Sequence, residues 1–467
     1  MTSRKNSWTR TLGARKSTLS GVLALQIGVT TLLIASVSTA VAETNTRTPT
    51  EAASIRQSWA SADTFEGVVA EFNARKVVFQ QPLSAPSTGG SVRAVGTGPS
   101  GFPATYVVDN VRGRFHVYVE RRRPQHPVAP YSYVSQEVIF RTPDPGVSPV
   151  GTLTYPASGT NFPAVVLVAG TGAHTRDAGM SLHKTLLVLA DHLTRQGFAV
   201  LRYDKRGVGL TGGAPHPGPT TDDYAADALA AARYLKQQPN IDASKVGIVG
   251  HSEGGIIAAM LAADAPTDIA FTVMLLGTGV PGIDNKSLQD AAARRAEGMP
   301  ETLVLMNQQQ ERGLLEVAAG KLDRKQAIAA MAAATDALPA DVKKTLEVPA
   351  DGIPVEAYEN LLTPWFRRFL QLDPGAYLAR VKTPVLALLG EKDLQVPAIE
   401  NERALSRALG TQRHPKSSVR VLPGINHNLQ TARTGRPTEY LLIDETVSPT
   451  VLAAMSTWMR DVVGARN

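Results

Sequence analysis

Four short apolar runs constrain this chain more than any other feature. They are "PAVVLVAG" (163–170), "KVGIVG" (245–250), "FTVMLLG" (271–277) and "PVLALLG" (384–390), and each ends on glycine. None shows the in-out alternation of a half-exposed strand, so each must be covered on both faces. "SQEVIFRT", "VGTLTYP", "FAVLRYD" and "SVRVLPG" extend the set. Helical patterns fall between the later runs: "SLHKTLLVLADHLTRQG", "TDDYAADALAAARYLKQQ", "GGIIAAMLAADA", "AIENERALSRALG" and "PTVLAAMSTWMRDVV". Strands that alternate with helices predict an α/β fold with a mostly parallel, doubly covered sheet.

The rest of the chain is organised around that core. Residues 43–130 read as a small β-rich domain and linker. "KVVFQQ", "ATYVVDN" and "RFHVYVERR" supply its strands, and "RRRPQHPVAPY" its extended connection. Residues 131–280 hold the first part of the α/β core and 381–467 the second. Between them, residues 281–380 read as almost wholly helical, which predicts a cap inserted over the carboxyl ends of the strands.

Residues 1–42 carry a basic start (Arg4, Lys5, Arg10, Arg15, Lys16), an apolar stretch and a terminal "AVA". That is the pattern of an export signal cleaved after Ala42, which predicts a periplasmic or secreted protein. The segment holds five basic residues and no acidic one, so its removal takes the formal net charge from +7 to +2. No case for nucleic-acid binding remains. The chain has no cysteine, so no disulfide can staple it. No later stretch reads as a membrane span. The sequence carries no indication of oligomeric state.

The chemistry is concentrated in "GHSEGG" (250–255). Here G-x-S-x-G follows a predicted strand and opens a predicted helix. In that setting small neighbours allow a sharp turn and the serine oxygen is presented at the sheet edge. Ser252 is therefore the candidate nucleophile. A serine hydroxyl needs a base, and the base needs an orienting acid. The expected chain order is Ser, acid, His. "PVLALLGEKDLQVP" puts Asp393 after one strand, with Glu391 as a rival, and "VRVLPGINHNLQ" puts His427 after the next. An oxyanion hole would draw on the N–H of Glu253 and on the loop after "PAVVLVAG", at Thr171 or Gly172.

These stretches, together with "LRYDKRGVGLTGG", "TPWFRRFLQLDP" and "INHNLQTARTGRPTEY", resemble a bacterial serine α/β-hydrolase esterase family with a small N-terminal β domain and a helical cap. The resemblance implies a serine carboxylesterase with Ser252 as nucleophile, Asp393 as acid and His427 as base. Two departures stand out. Ala169 and Thr171 occupy positions where that family carries His and Ser, and Asn428 follows His427 where a bulky apolar residue is common. Trp365 and Phe366 either pack the cap onto the core or line the acyl pocket, and Asn428 would border it.

Other signals read as structural. "GVGLTG" (207–212) matches a dinucleotide fingerprint, but "GAPHPGP" follows it where a helix would have to open. Asp204 and Arg206 read as an ion pair or turn network, and Arg176 and Asp177 as a brace for the preceding loop. His174 reads as an exposed loop histidine, and His251 as pointing away from the serine's face to pack or hydrogen-bond locally. No histidine spacing suits a metal and no phosphate-binding loop occurs, so neither cofactor nor metal is expected. The expected partner is a small-molecule ester. Peptidase or thioesterase chemistry is the alternative, and a catalytically silent binding module a third reading.

Overall fold

In a computed structural model of the protein, the structure describes residues 55–98, 101–121, 123–410 and 414–464. The expected export segment lies outside these residues. Elements are numbered in chain order. The first unit is a five-stranded antiparallel sheet with one helix: β1 (Ile55–Ala62), α1 (Phe65–Ala74), β2 (Val78–Phe79), β3 (Ser91–Thr97), β4 (Pro103–Val111) and β5 (Arg114–Arg121), in the order β1-β5-β4-β3-β2. Two features differ from the sequence reading. "KVVFQQ" yields only the two-residue β2, and α1 was not anticipated. The "TFEGVVAEF" stretch holds two adjacent valines and a glycine, which weaken a helix. Tertiary packing overrides that preference. The Thr64 side chain caps the helix at Gly67 N, and Val68 and Phe72, one turn apart, bury against Tyr106 and Val117.

The larger sheet has eight strands in the order β15-β14-β13-β12-β8-β11-β7-β6. They are β6 (Tyr133–Ile139), β7 (Val150–Pro156), β8 (Phe162–Val168), β11 (Ala199–Tyr203), β12 (Ile241–His251), β13 (Thr272–Leu275), β14 (Val385–Gly390) and β15 (Ser418–Leu422). Only β6–β7 and β7–β11 pair antiparallel; every other neighbour is parallel. A two-residue ladder, β9 (Gly179–Met180) with β10 (His183–Lys184), lies apart from it.

The continuous apolar strands are explained by their two faces. Along β8, Val165 and Leu167 face helices α2 (Thr185–Arg195) and α14 (Pro449–Val463). Ala164, Val166 and Val168 face α3 (Thr221–Lys236) and α4 (Glu253–Asp264). Each helix begins where chemistry permits: α3 at a capping box of Thr220 and Asp223, and α14 with Pro449 in its first turn. Helix α12 (Ala398–Leu409) covers β14 beside α4, with Leu405 and Leu409 packed on Val385 and Leu389.

Between β13 and β14 run seven helices: α5 (Gly282–Ala296), α6 (Glu301–Ala319), α7 (Arg324–Asp336), α8 (Ala340–Thr345), α9 (Val355–Asn360), α10 (Pro364–Gln371) and α11 (Pro374–Leu378). Leu314, Ala318 and Met331 of this insertion join Trp365, Phe366 and Phe369 in the same apolar cluster as α3 and α4. A short helix, α13 (Pro437–Tyr440), follows the last strand. Among the described residues no helix is long and apolar enough to cross a membrane.

Candidate active site

Ser252 stands between the last residue of β12 and the first of α4. Its backbone has φ 55° and ψ −120°, a left-handed strain that a non-glycine residue adopts only where its surroundings impose it. The surroundings here are backbone. A Cβ on Gly250 would drive into the carbonyl of Gly254, and a Cβ on Gly254 into the carbonyl of Val168. The two glycines let strand, turn and helix close on one another. Ser252 N donates to Leu275 O at 2.9 Å, and its own carbonyl accepts from Gly255 N at 2.8 Å.

The other two candidates lie beyond the ends of β14 and β15, two parallel strands separated from β12 by β13. Asp393 lies three residues beyond β14, in a turn where its Oδ1 accepts from the backbone N–H of Gln395 (2.7 Å) and Val396 (2.9 Å). Its Oδ2 accepts from His427 Nδ1 at 2.8 Å. His427 Nε2 lies 3.0 Å from Ser252 Oγ. With Nδ1–H given to the carboxylate, Nε2 is the acceptor left for the serine proton. The loop around His427 is tied from within, since Asn426 Oδ1 accepts from the N–H of both Asn428 and Gln430. His251 Nε2 donates to the His427 carbonyl at 2.8 Å. Burial pushes the His251 imidazole down to about 3, so it acts as a neutral donor. It therefore bonds across to the His427 loop, and its partner is distant in sequence. The rival acid, Glu391, accepts from Gly424 N at 2.8 Å and braces the turn that leads to His427.

The loop nominated for the oxyanion follows β8. Gly170 backs directly onto Ser252, whose Cβ lies 3.0 Å from where a Gly170 Cβ would stand. Gly172 has φ 111°. Lys205 Nζ donates to Gly170 O at 2.9 Å, and His174 Nε2 to Thr171 O at 2.7 Å. The reading of His174 as an exposed loop residue is corrected by this bond. The ring is partly buried, and burial followed by the charge of Lys205 holds its pKa down at about 4. Arg176 binds Asp204 through its backbone N–H (2.6 Å) and its guanidinium (2.8 Å), while Asp177 pairs with Arg202. Asp204 and Arg206 do not pair with each other. Arg206 turns instead to Asp227, with bonds of 2.6 and 2.8 Å. The "GVGLTG" stretch stays a loop closed by Gly207 N to Gly212 O, and the next helix opens only at Thr221.

The side chain of Glu253 is fully buried. Its Oε1 accepts from Thr221 Oγ1 and from Trp365 Nε1, both at 2.8 Å, and its Oε2 lies 3.7 Å from Lys205 Nζ. Trp365 thereby ties α10 of the insertion to the residue after Ser252. Phe366 packs beside Trp365 and Phe369, and the Asn428 side chain is buried next to His427. Sequence reasoning missed Lys205 and Thr221. The only signal for Lys205 was its place just past a strand in "YDKRG", because its partners are brought to it by packing.

Residues 163–333 match the sequence model of a family described as "Hydrolase_4: Serine aminopeptidase, S33". With the strand order and the turn at Ser252, the match agrees with the architecture described above. The chain has the α/β-hydrolase fold. Among relatives, the chain is 27% identical over 315 residues to Esterase EstD of Thermotoga maritima, covering 66% of the chain and 65% of that esterase. It is 43% identical over 67 residues to the acylamino-acid-releasing enzyme of Arabidopsis thaliana, 14% of the chain and 8% of that enzyme. The solved α/β hydrolase GrgF from Penicillium sp. sh18 is 17% identical, covering 71% of this chain and 99% of that one at a TM-score of 0.44.

Proposed function

We propose that the protein is a serine carboxylesterase whose reaction runs through Ser252, His427 and Asp393. The observation that carries this is the unbroken line Asp393 Oδ2–His427 Nδ1, His427 Nε2–Ser252 Oγ, at 2.8 and 3.0 Å, with the serine held on a strained turn. His427 takes the hydroxyl proton as Ser252 Oγ attacks the ester carbonyl. The tetrahedral oxyanion is met by the N–H of Glu253 and by the Thr171–Gly172 backbone. His427 passes the proton to the leaving alcohol as the C–O bond breaks. Water then repeats the sequence on the acyl-serine, releasing the acid and restoring Ser252. Asp393 keeps the imidazole in the required tautomer throughout.

The printed name of the Thermotoga relative supports ester substrates, while the family description and the Arabidopsis relative favour a peptidase as the second reading. An aminopeptidase needs a carboxylate to receive the substrate's ammonium group. The carboxylate next to the serine, Glu253, is already occupied by Thr221 and Trp365 and faces Lys205. That weighs toward esters. The experiment is hydrolysis of p-nitrophenyl esters from acetate to palmitate, beside aminoacyl p-nitroanilides, by the protein and its Ser252→Ala variant. Ester cleavage that the variant loses by at least about a thousandfold is expected. Retained activity in Ser252→Ala sinks the mechanism, and preferential anilide cleavage replaces esterase with peptidase.

A further inference from the structure

The loop after β8 brings little of its own to brace its side of the candidate oxyanion hole. Among Ala169, Gly170, Thr171 and Gly172 the single polar side chain is the Thr171 hydroxyl. A backbone donor contributes to catalysis only if it is already aimed when charge develops. What aims the amides at 171 and 172 must come from elsewhere.

A trans peptide unit is planar, and its C=O and N–H point in opposite directions. The Gly170 carbonyl and the Thr171 N–H belong to one unit, and the Thr171 carbonyl and the Gly172 N–H to the next. Each of these two carbonyls is held by a side chain from outside the four-residue stretch. Lys205 Nζ holds Gly170 O at 2.9 Å, and His174 Nε2 holds Thr171 O at 2.7 Å. Fixing the carbonyl of a rigid plane fixes its N–H on the other side.

Lys205 does more than tie one carbonyl. Its own N–H donates to His174 O at 3.1 Å, so the two anchors are joined. Its Nζ lies 3.7 Å from the carboxylate of Glu253 and 3.8 Å from the centre of the Tyr224 ring. Glu253 supplies the N–H on the opposite side of the hole. One buried ammonium group thus touches the residues that carry both halves, and so sets their separation. The carboxylate and the ring face balance its charge in a site where an unpaired ammonium would be costly.

We propose that Lys205 and His174 are positioning residues for the oxyanion hole, each aiming one backbone N–H by holding the carbonyl of the same peptide unit. This rests on the esterase reading of Ser252 and of the 171–172 loop. Neither side chain touches substrate, so their loss affects transition-state stabilisation more than ground-state binding.

The test compares kcat and KM on p-nitrophenyl acetate for His174→Leu, His174→Gln, Lys205→Met and Ser252→Ala, with inhibition by a trifluoromethyl ketone, whose hemiketal adduct with Ser252 Oγ places its oxyanion on the same donors. His174→Leu is expected to lose roughly tenfold in kcat with KM within about twofold, because removal of a whole donor costs roughly 10²–10³-fold. His174→Gln keeps an N–H and restores most of the rate. Lys205→Met is expected to lose roughly a hundredfold, with ketone affinity falling in step. A buried-lysine variant that fails to fold leaves the decision to the His174 pair. Wild-type kcat in His174→Leu, or a loss that Gln does not rescue, overturns the proposal. Activity retained by Ser252→Ala overturns the esterase reading itself, which this comparison keeps separate.

Discussion

A carbonyl that must pass within contact distance of another residue's Cα leaves room for glycine alone, and two such points control the serine. At Gly250 and Gly254 the obstacle is backbone, which cannot rotate aside as a side chain can. Gly250→Ala is therefore expected to open the turn and carry Ser252 Oγ out of reach of His427. Labelling by a fluorophosphonate should fall at least about a hundredfold while the far-ultraviolet spectrum persists, because a misplacement near 1 Å already costs about that much. Normal labelling would mean that the strained φ of 55° is not what presents the oxygen. At this scale the sequence was readable where a motif fixes backbone geometry. Ser252, Asp393 and His427 were nominated from spacing after strands, and the structure brings the three together. The Glu253 side chain was not readable in that way. Its partners Thr221 and Trp365 stand 32 and 112 residues away, and no local pattern encodes a hydrogen bond made by packing.

Among elements, a buried histidine ties the ladder of β9 and β10 to the end of α13 and to the segment beyond it. His183 Nε2 donates to Tyr440 O at 2.9 Å, and its Nδ1 accepts from Thr446 Oγ1 at 2.9 Å. Protonation would turn that acceptor into a donor. Burial first, and the charge of Arg123 second, push the imidazole down to about 3. In the unfolded chain it titrates near its usual value of about 6.5. Between those values the unfolded chain binds a proton that the folded one refuses. Stability is then intact above about pH 6.5 and is lost as pH falls toward 3, by up to about 1.4 kcal/mol per pH unit. His126, His174, His216 and His251 are shifted in the same direction, so the protein as a whole should be acid-sensitive. His183→Gln is expected to be less stable at pH 7.5 yet to lose less between pH 7.5 and 4.5, read from urea unfolding midpoints. An unchanged pH slope would show that the imidazole takes up its proton as readily in the folded chain as in the unfolded one. The elements were legible wherever an apolar run or a helical period was long. They were not where packing decides, as in α1, whose adjacent valines and glycine weaken the helical signal that the packing of Val68 and Phe72 on Tyr106 restores.

At the scale of the whole molecule, the first sheet and the α/β sheet meet on the chain that follows His427. Leu441 and Leu442 pack against the core formed by Val68, Phe72 and Tyr106. Arg123, just past β5, is buried and donates to the carbonyls of Ser181 (2.9 Å), Leu441 (3.1 Å) and Ile443 (3.3 Å). Gln125 closes the same seam with bonds to Thr446 N (2.5 Å), Val447 N (2.9 Å) and Val447 O (2.7 Å). Ser448 N then donates to Leu429 O at 2.8 Å, two residues from the candidate base. A linker composition rich in proline and arginine gave no hint of this, because a linker is expected to touch little. The seam makes the smaller unit part of the frame that holds His427. Arg123→Met strips the donor from three carbonyls, each worth about 1 kcal/mol or more when left unmade. The variant is expected to melt in two calorimetric steps where the parent melts in one, with the proposed esterase activity lost across the first step. A single transition at the parent's midpoint would mean that the two units are held together by Leu441, Leu442 and Gln125 without the arginine. Loss of activity only in a later step would uncouple His427 from the smaller unit altogether.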